Sequence, residues 1–209
     1  MKHDTQTSPC WVLVGCLVGV VLGAPLAALS HGSLPHATQQ VLSGAAIYKR
    51  SVRGYPVPDV VLTDYDDRSV RLRDLLATDD PVMMNFVFTT CRTICPVTTK
   101  VLSDVPALLG RDGKRLRMVS ISIDPENDTP LQLKAYARSF QAGERWTFLT
   151  GRAQDIKSVQ IAFDTYNSDK MTHEPVTLIR QASGKPWIRI DGFATPLELV
   201  LEYRKDMPQ

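Results

Sequence analysis

Apolar and polar positions between residues 54 and 205 alternate between two spacings, one of strands and one of helices. VPDVVLTD (57–64) and SVRLRD (69–74) flank an Asp-rich turn and predict a hairpin. PVMMNFVF (81–88) is a nearly continuous apolar run, as expected of a strand buried on both faces, and LRMVSISID (116–124) reads the same way. WTFLTG (146–151) predicts a shorter strand. Helical spacing appears in VTTKVLSDVPALL (97–109), where Pro106 predicts a kink or an early end. It returns in TPLQLKAYARSF (129–140), with Thr129 as N-cap and Pro130 in the first helical position. AQDIKSVQIAF (153–163) repeats it through Ile156, Val159, Gln160 and Phe163. PVTLIRQ, the turn ASGK and WIRIDG predict an antiparallel hairpin over 175–192, and TPLELVLEYRKD (195–206) a closing helix. Residues 31–53 show no period and read as a tether, so the folded domain is expected over 54–209.

The order is hairpin, strand–helix–strand, helix–strand–helix, hairpin, helix. Strand–helix–strand crossovers place parallel strands side by side, and the late hairpin adds an antiparallel edge. The predicted class is α/β: a thioredoxin-like mixed central sheet flanked by helices, with an N-terminal β-hairpin extension.

Composition adds little until the N-terminus is considered. The chain has 209 residues, 44% hydrophobic and 22% charged, with a net charge of +2, which is ordinary for a domain with a real core. That balance carries no electrostatic footprint for nucleic acid. RDGKRLR (111–117) and DYDDRS (64–69) read as solvated turns. Residues 11–29, however, carry no charge, and as a helix would span roughly 28 Å, close to the hydrocarbon thickness of a bilayer. Residues 1–30 are therefore expected to be a membrane anchor or a signal peptide with small residues Ala28 and Ser30 before a cut at His31. The string LVGC (13–16) mimics a lipoprotein box, but its apolar lead-in is short. Each version places the domain outside the cytoplasm, on the periplasmic face of a membrane.

Export changes the reading of the four cysteines. Cys10 and Cys16 lie at the apolar segment, which leaves Cys91 and Cys95 to the domain. A single short loop staples little, and a domain of this size has core enough without it, so chemistry is the stronger role. The pair sits in FTTCRTICP, at the carboxyl end of a central strand, where α/β sheets place their sites. Pro96 is expected to set the first helical residue, leaving Cys95 at the N-cap in the field of the helix dipole, with Arg92 adding to it. The C-x-x-x-C spacing permits a redox disulfide and equally lets two sulfurs converge on one ion; two thiolates suit Cu(I) best, then zinc. Of the other histidines, His31 and His36 lie in the tether and read as exposed. His173 stands before the strand beginning at Pro175, where its loop is expected to pack beside the cysteine loop. Met171 is a runner-up soft ligand, read chiefly as a packing residue. In SIDPENDTP (122–130), Asp128 or Thr129 is expected to cap the next helix, while Asp124 is a candidate second-layer group near the site.

The ordered set FTTCRTICP, SISIDPENDTP, WTFLTG, the His173 loop and DGF resembles the Sco/SenC family of copper proteins, over about residues 54–205. The resemblance implies a thioredoxin-like fold in which Cys91, Cys95 and His173 bind copper, as Cu(I) with Cu(II) a second state. It implies a membrane-tethered or exported protein serving the copper centre of cytochrome c oxidase, by metal delivery or by reduction of that centre's cysteines. The partner would be an oxidase subunit or another copper-handling protein. Three neighbours depart from the commonest family form: Thr172 and Glu174 flank the histidine, and Arg92 follows the first cysteine. A thiol–disulfide oxidoreductase, with Cys91 and Cys95 as the redox pair, is the alternative. A peroxidase ranks third, because its usual single-cysteine motif is absent.

Overall fold

The structure, a computed structural model, describes residues 48–205. The apolar segment 11–29, His31, His36 and most of the tether lie outside the described residues. Among those described, no helix is long and apolar enough to cross a membrane. The strands are β1 Tyr48–Arg53, β2 Val61–Asp64, β3 Ser69–Arg71, β4 Val82–Val87, β5 Arg117–Ser122, β6 Trp146–Thr150, β7 Val176–Arg180 and β8 Trp187–Gly192. The helices are α1 Leu72–Leu76, α2 Ile94–Leu109, α3 Pro130–Ser139, α4 Ala153–Ala162 and α5 Pro196–Lys205, with single 3-10 turns at Asp112–Lys114 and Lys170–Thr172.

One sheet of order β1-β8-β7-β4-β5-β6-β2-β3 joins all the described strands. β4, β5 and β6 run parallel, while β7 and β8 join antiparallel on one side and the β2–β3 hairpin on the other. This is the expected mixed α/β architecture with its added N-terminal hairpin. Every residue of β4 is buried. Its side chains divide by the two-residue period of a strand. Met83 packs with Leu102, Val105 and Leu109 of α2 and Leu199 and Tyr203 of α5. Val82, Met84 and Phe86 pack on the other face with Leu72, Leu76, and Ile156 and Val159 of α4. Register across the middle is reinforced by a polar chain: the Ser120 hydroxyl donates to Asn85 Oδ1 at 2.6 Å and accepts from the Trp146 indole at 2.9 Å.

Three sequence expectations change. Pro106 does not end its helix early: α2 runs on to Leu109, because Leu102, Val105 and Leu109 keep one face buried across the missing hydrogen bond. Close packing accompanies this, since a Cβ at Gly113 would stand 2.1 Å from the Pro106 carbonyl oxygen. The stretch read as strand at 69–74 turns helical at Leu72, where burying Leu72 and Leu76 together requires a one-turn spacing. Finally, the last residues assigned to the tether, Tyr48–Arg53, form β1 and pair with β8.

The ties that hold β1 are polar, which is why apolar periodicity did not reveal it. Glu202 of α5, 2% exposed, accepts from Tyr48 Oη at 2.9 Å, Arg50 Nε at 2.6 Å and Lys205 Nζ at 2.6 Å. Burial pushes the Glu202 carboxyl up, but these three donors outweigh it and hold it below its ordinary 4.5. Its contribution to stability is therefore present above that value and lost as pH falls through the depressed one. Glu202→Gln is expected to cost about 1–3 kcal/mol at pH 7. In urea unfolding its deficit relative to the wild type should shrink as pH falls below 4. A deficit constant from pH 7 to pH 3 would contradict this account.

Candidate metal centre

β4 ends at Val87, and the chain turns at once: the Cys91 amide donates to the Phe88 carbonyl at 3.1 Å. Helix α2 then starts with Thr93 as N-cap, so Cys95 is the second helical residue rather than the cap. The reason is that Pro96 fits the first turn, whose amides lack intrahelical partners in any case. The orphan amide of Cys95 points outward to the Cys91 sulfur at 3.4 Å, and the Thr93 hydroxyl lies 3.7 Å from the same atom. Both thiols are free, and they pack with Val87, Phe88, Ile94 and Ile123.

This geometry reverses the expected roles of the cysteines. Burial raises the Cys91 thiol, but the Cys95 and Thr93 amides and the Cys95 and Thr93 side chains outweigh it, and the net shift is downward. Cys95 is pushed up to about 12, first by burial, then by the Cys91 sulfur beside it and the Asp128 charge. Cys91, 6% exposed, is the outer, thiolate-forming sulfur, and Cys95, 1% exposed, the inner one. Arg92 is exposed to solvent, and the contributions that lower the Cys91 thiol come from the helix N-terminus instead.

The cysteine loop is held from behind by a carboxylate that the sequence offered, beside Thr129, as one of two candidate caps. Asp128, fully buried, accepts from the Thr89 amide at 3.0 Å, the Thr89 hydroxyl at 2.6 Å and the Ser122 hydroxyl at 2.6 Å. Thr129 alone caps α3, in a reciprocal box with Gln132. The Thr-Pro start pointed to Thr129, but the role of Asp128 was hidden because its partners come from β5 and from the loop after β4.

His173 caps the 3-10 turn Lys170–Thr172 and lies at the same end of the sheet as the cysteines. The antiparallel pairing of β7 with β4, Thr177 opposite Asn85, requires this placement. Its ring is 7% exposed and faces the Phe86 carbonyl. Burial lowers its basicity, and the Phe86 carbonyl and Glu174 only partly oppose that, so the imidazole is neutral at pH 7, the form that binds metals. Cys91 and Cys95 are thus brought together, whereas His173 is brought near without joining them. Among the described residues, no three His, Cys, Asp or Glu side chains are grouped so as to hold a metal ion. Asp124 accepts from Lys170 Nζ at 2.6 Å and from Asn127 Nδ2 at 3.0 Å, tying the turn before His173 to the loop after β5. Met171, read as a packing residue, is 71% exposed.

The inequality of the two sulfurs is measurable. Iodoacetamide pulses across a pH series, located by mass spectrometry, should label Cys91 first, with a rate that rises at a lower pH than an ordinary thiol. Cys95 should stay unmodified until strongly alkaline pH or unfolding. Equal labelling, or Cys95 first, would contradict the assignment.

Comparison with known proteins agrees with this architecture. Residues 57–187 match the SCO1/SenC family. A SCO1 protein homolog of Bacillus subtilis is 36% identical over 101 residues, 48% of this chain and 51% of that one, so the chain spans about half the length of that relative. A SCO2-like protein of Rickettsia prowazekii is 28% identical over 174 residues, covering 81% of this chain and 79% of the relative. Among solved structures, BsSco, described with a disulfide switch and as a Sco-family cytochrome c oxidase assembly protein, superposes with a TM-score of 0.62 at 26% identity, covering 74% of this chain and 95% of that one. The copper-bound ScoI of Bradyrhizobium japonicum gives 0.59 at 24% identity, covering 75% and 100%. With a match running from the β2–β3 hairpin to the start of β8, the chain belongs to the SCO1/SenC family.

Proposed function

We propose that the protein is an exported copper carrier that takes part in assembling the copper centre of cytochrome c oxidase. The observation that carries this reading is the pair of adjacent sulfurs, with Cys91 Sγ accepting the Cys95 amide at a helix N-terminus. Such a field favours thiolate, and two thiolates are soft donors that select Cu(I) over harder ions. His173, neutral and at the same end of the sheet, supplies the third ligand once its ring leaves the Phe86 carbonyl. The named activity of BsSco and the copper-bound Bradyrhizobium relative support the same reading. Export is part of the proposal, and it rests on the uncharged stretch at residues 11–29.

Copper is cargo here, and the residues govern its loading. Binding Cu(I) displaces protons from the cysteines, the harder step being at Cys95, whose thiol is the more strongly protonated. Oxidation of the pair, with two electrons passing to an acceptor disulfide and two protons released, forms a Cys91–Cys95 bond and removes both sulfur ligands. Delivery and retention are thereby coupled to thiol redox state.

The unequal sulfurs also favour a second reading, thiol–disulfide exchange. Cys91 would attack a substrate disulfide, one substrate sulfur leaving as a thiolate and the other held in a mixed disulfide with Cys91. Cys95 would then attack Cys91, closing the internal bond and expelling the second substrate thiolate.

One experiment separates the readings. The reduced domain should bind one equivalent of Cu(I) under anaerobic titration against a competing chelator, with His173→Ala weakening affinity by roughly 10-fold or more. Metal-free protein should reduce a model disulfide only stoichiometrically. Catalytic turnover without copper, together with unchanged affinity in His173→Ala, would replace the copper reading with the exchange reading.

A further inference from the structure

We propose that Lys170 is the positioning residue that sets the His173 loop in register with the two cysteines. The proposal rests on the copper reading above. It starts from a continuous polar path that begins at the turn carrying His173 and ends at the loop carrying Cys91. Lys170 Nζ donates to Asp124 Oδ2 at 2.6 Å, and the Asp124 amide donates to Ser122 Oγ at 3.0 Å. Ser122 Oγ donates to Asp128 Oδ2 at 2.6 Å, and Asp128 accepts from the amide and hydroxyl of Thr89. Thr89 stands two residues before Cys91.

Each end of the clamp is built to persist. Asp124 is 5% exposed, so its ion pair with Lys170 is shielded on one side from water and salt. The same ammonium lies 5.9 Å from the centroid of the Phe88 ring, which gives it a second favourable contact. Phe88 itself accepts the Cys91 amide through its carbonyl, so Lys170 touches the cysteine turn by two routes. At the other end, the Lys170 carbonyl accepts the His173 amide at 3.3 Å, placing the clamped residue within one turn of the imidazole.

Apart from the contact of the His173 ring with the Phe86 carbonyl of β4, the remaining bonds of the segment shape it without tying it to the cysteine side. Asn167 Nδ2 donates to Thr172 Oγ1 at 2.8 Å, and Asp169 accepts the Met171 amide at 2.9 Å, both within the loop. Arg189 holds the carbonyls of Phe163 and Asp164, at the far start of the segment. Lys170 is therefore the residue through which a side-chain tie fixes the height of the His173 turn over the sulfurs. The copper reading requires the imidazole to turn from the Phe86 carbonyl toward the cysteines, and the Lys170 tie keeps the turn beneath it anchored.

Two measurements on the reduced full-length protein test this. Lys170→Met keeps the apolar stem and removes the charge, and Lys170→Arg keeps the charge. In metal-free protein, amide hydrogen exchange of Met171–His173 should quicken in Lys170→Met and recover in Lys170→Arg. Cu(I) affinity should fall about 10-fold in Lys170→Met, recover in Lys170→Arg, and show no additional loss when Lys170→Met is combined with His173→Ala. Unchanged exchange and affinity in Lys170→Met would overturn the proposal. So would an equal loss in the wild-type and His173→Ala backgrounds, because Lys170 would then act on something other than the imidazole. If His173→Ala itself leaves affinity intact, the ligand assignment fails first and the positioning role falls with it.

Discussion

Burial of β4 on both faces is the constraint from which the rest of the molecule follows. Met83 on one side and Val82, Met84 and Phe86 on the other leave the strand no freedom of register, since a one-residue slip would exchange the two faces. The strand therefore delivers its last residues to a fixed point, and the cysteine turn begins there. Because β7 pairs with β4 antiparallel, the same constraint brings the start of β7, and His173 before it, to that end of the sheet. The site is the place where a rigid central strand stops and three loops meet.

Those loops are tied by buried polar groups in addition to the apolar contact of Phe88 and Ile123 with the cysteines. Asp128 gathers Thr89 and Ser122, and its neighbour in the path, Asp124, gathers Asn127 and Lys170. Under the proposed copper reading the site must rearrange, and close packing alone would resist that. Directional hydrogen bonds fix position while leaving the sulfur and imidazole atoms free to reorganise. The two cysteines share the helix end unequally for a related reason. One sulfur lies in front of the orphan amides and the other lies behind, within the apolar floor.

Most of the architecture was legible in the apolar pattern, because alternating, continuous and helical runs report burial directly. PVMMNFVF announced a doubly buried strand, and Thr-Pro starts announced α3 and α5. What escaped was set by polar contacts between distant segments. β1 depends on Glu202, which is more than 140 positions away in the chain, and Asp128 looked like a cap until Thr89 was seen beside it. At the site, Cys91, Cys95 and His173 stood out by residue type and order, but their roles did not. Placing Cys95 at the N-cap followed from Pro96 alone, and the helix in fact begins one residue before that cysteine. Lys170 gave no signal at all, since a lysine in a loop is ordinarily solvated.

The proposed function requires that two sulfurs at the end of β4 and one imidazole at the start of β7 close on a single copper ion. X-ray absorption of the Cu(I)-loaded reduced domain measures this directly, because sulfur and nitrogen scatter at distinguishable distances. The account predicts two sulfur neighbours and one imidazole nitrogen in the first shell, with the nitrogen lost in His173→Ala. A shell of sulfur alone that is identical in the two proteins, or one of oxygen and nitrogen without sulfur, would contradict it.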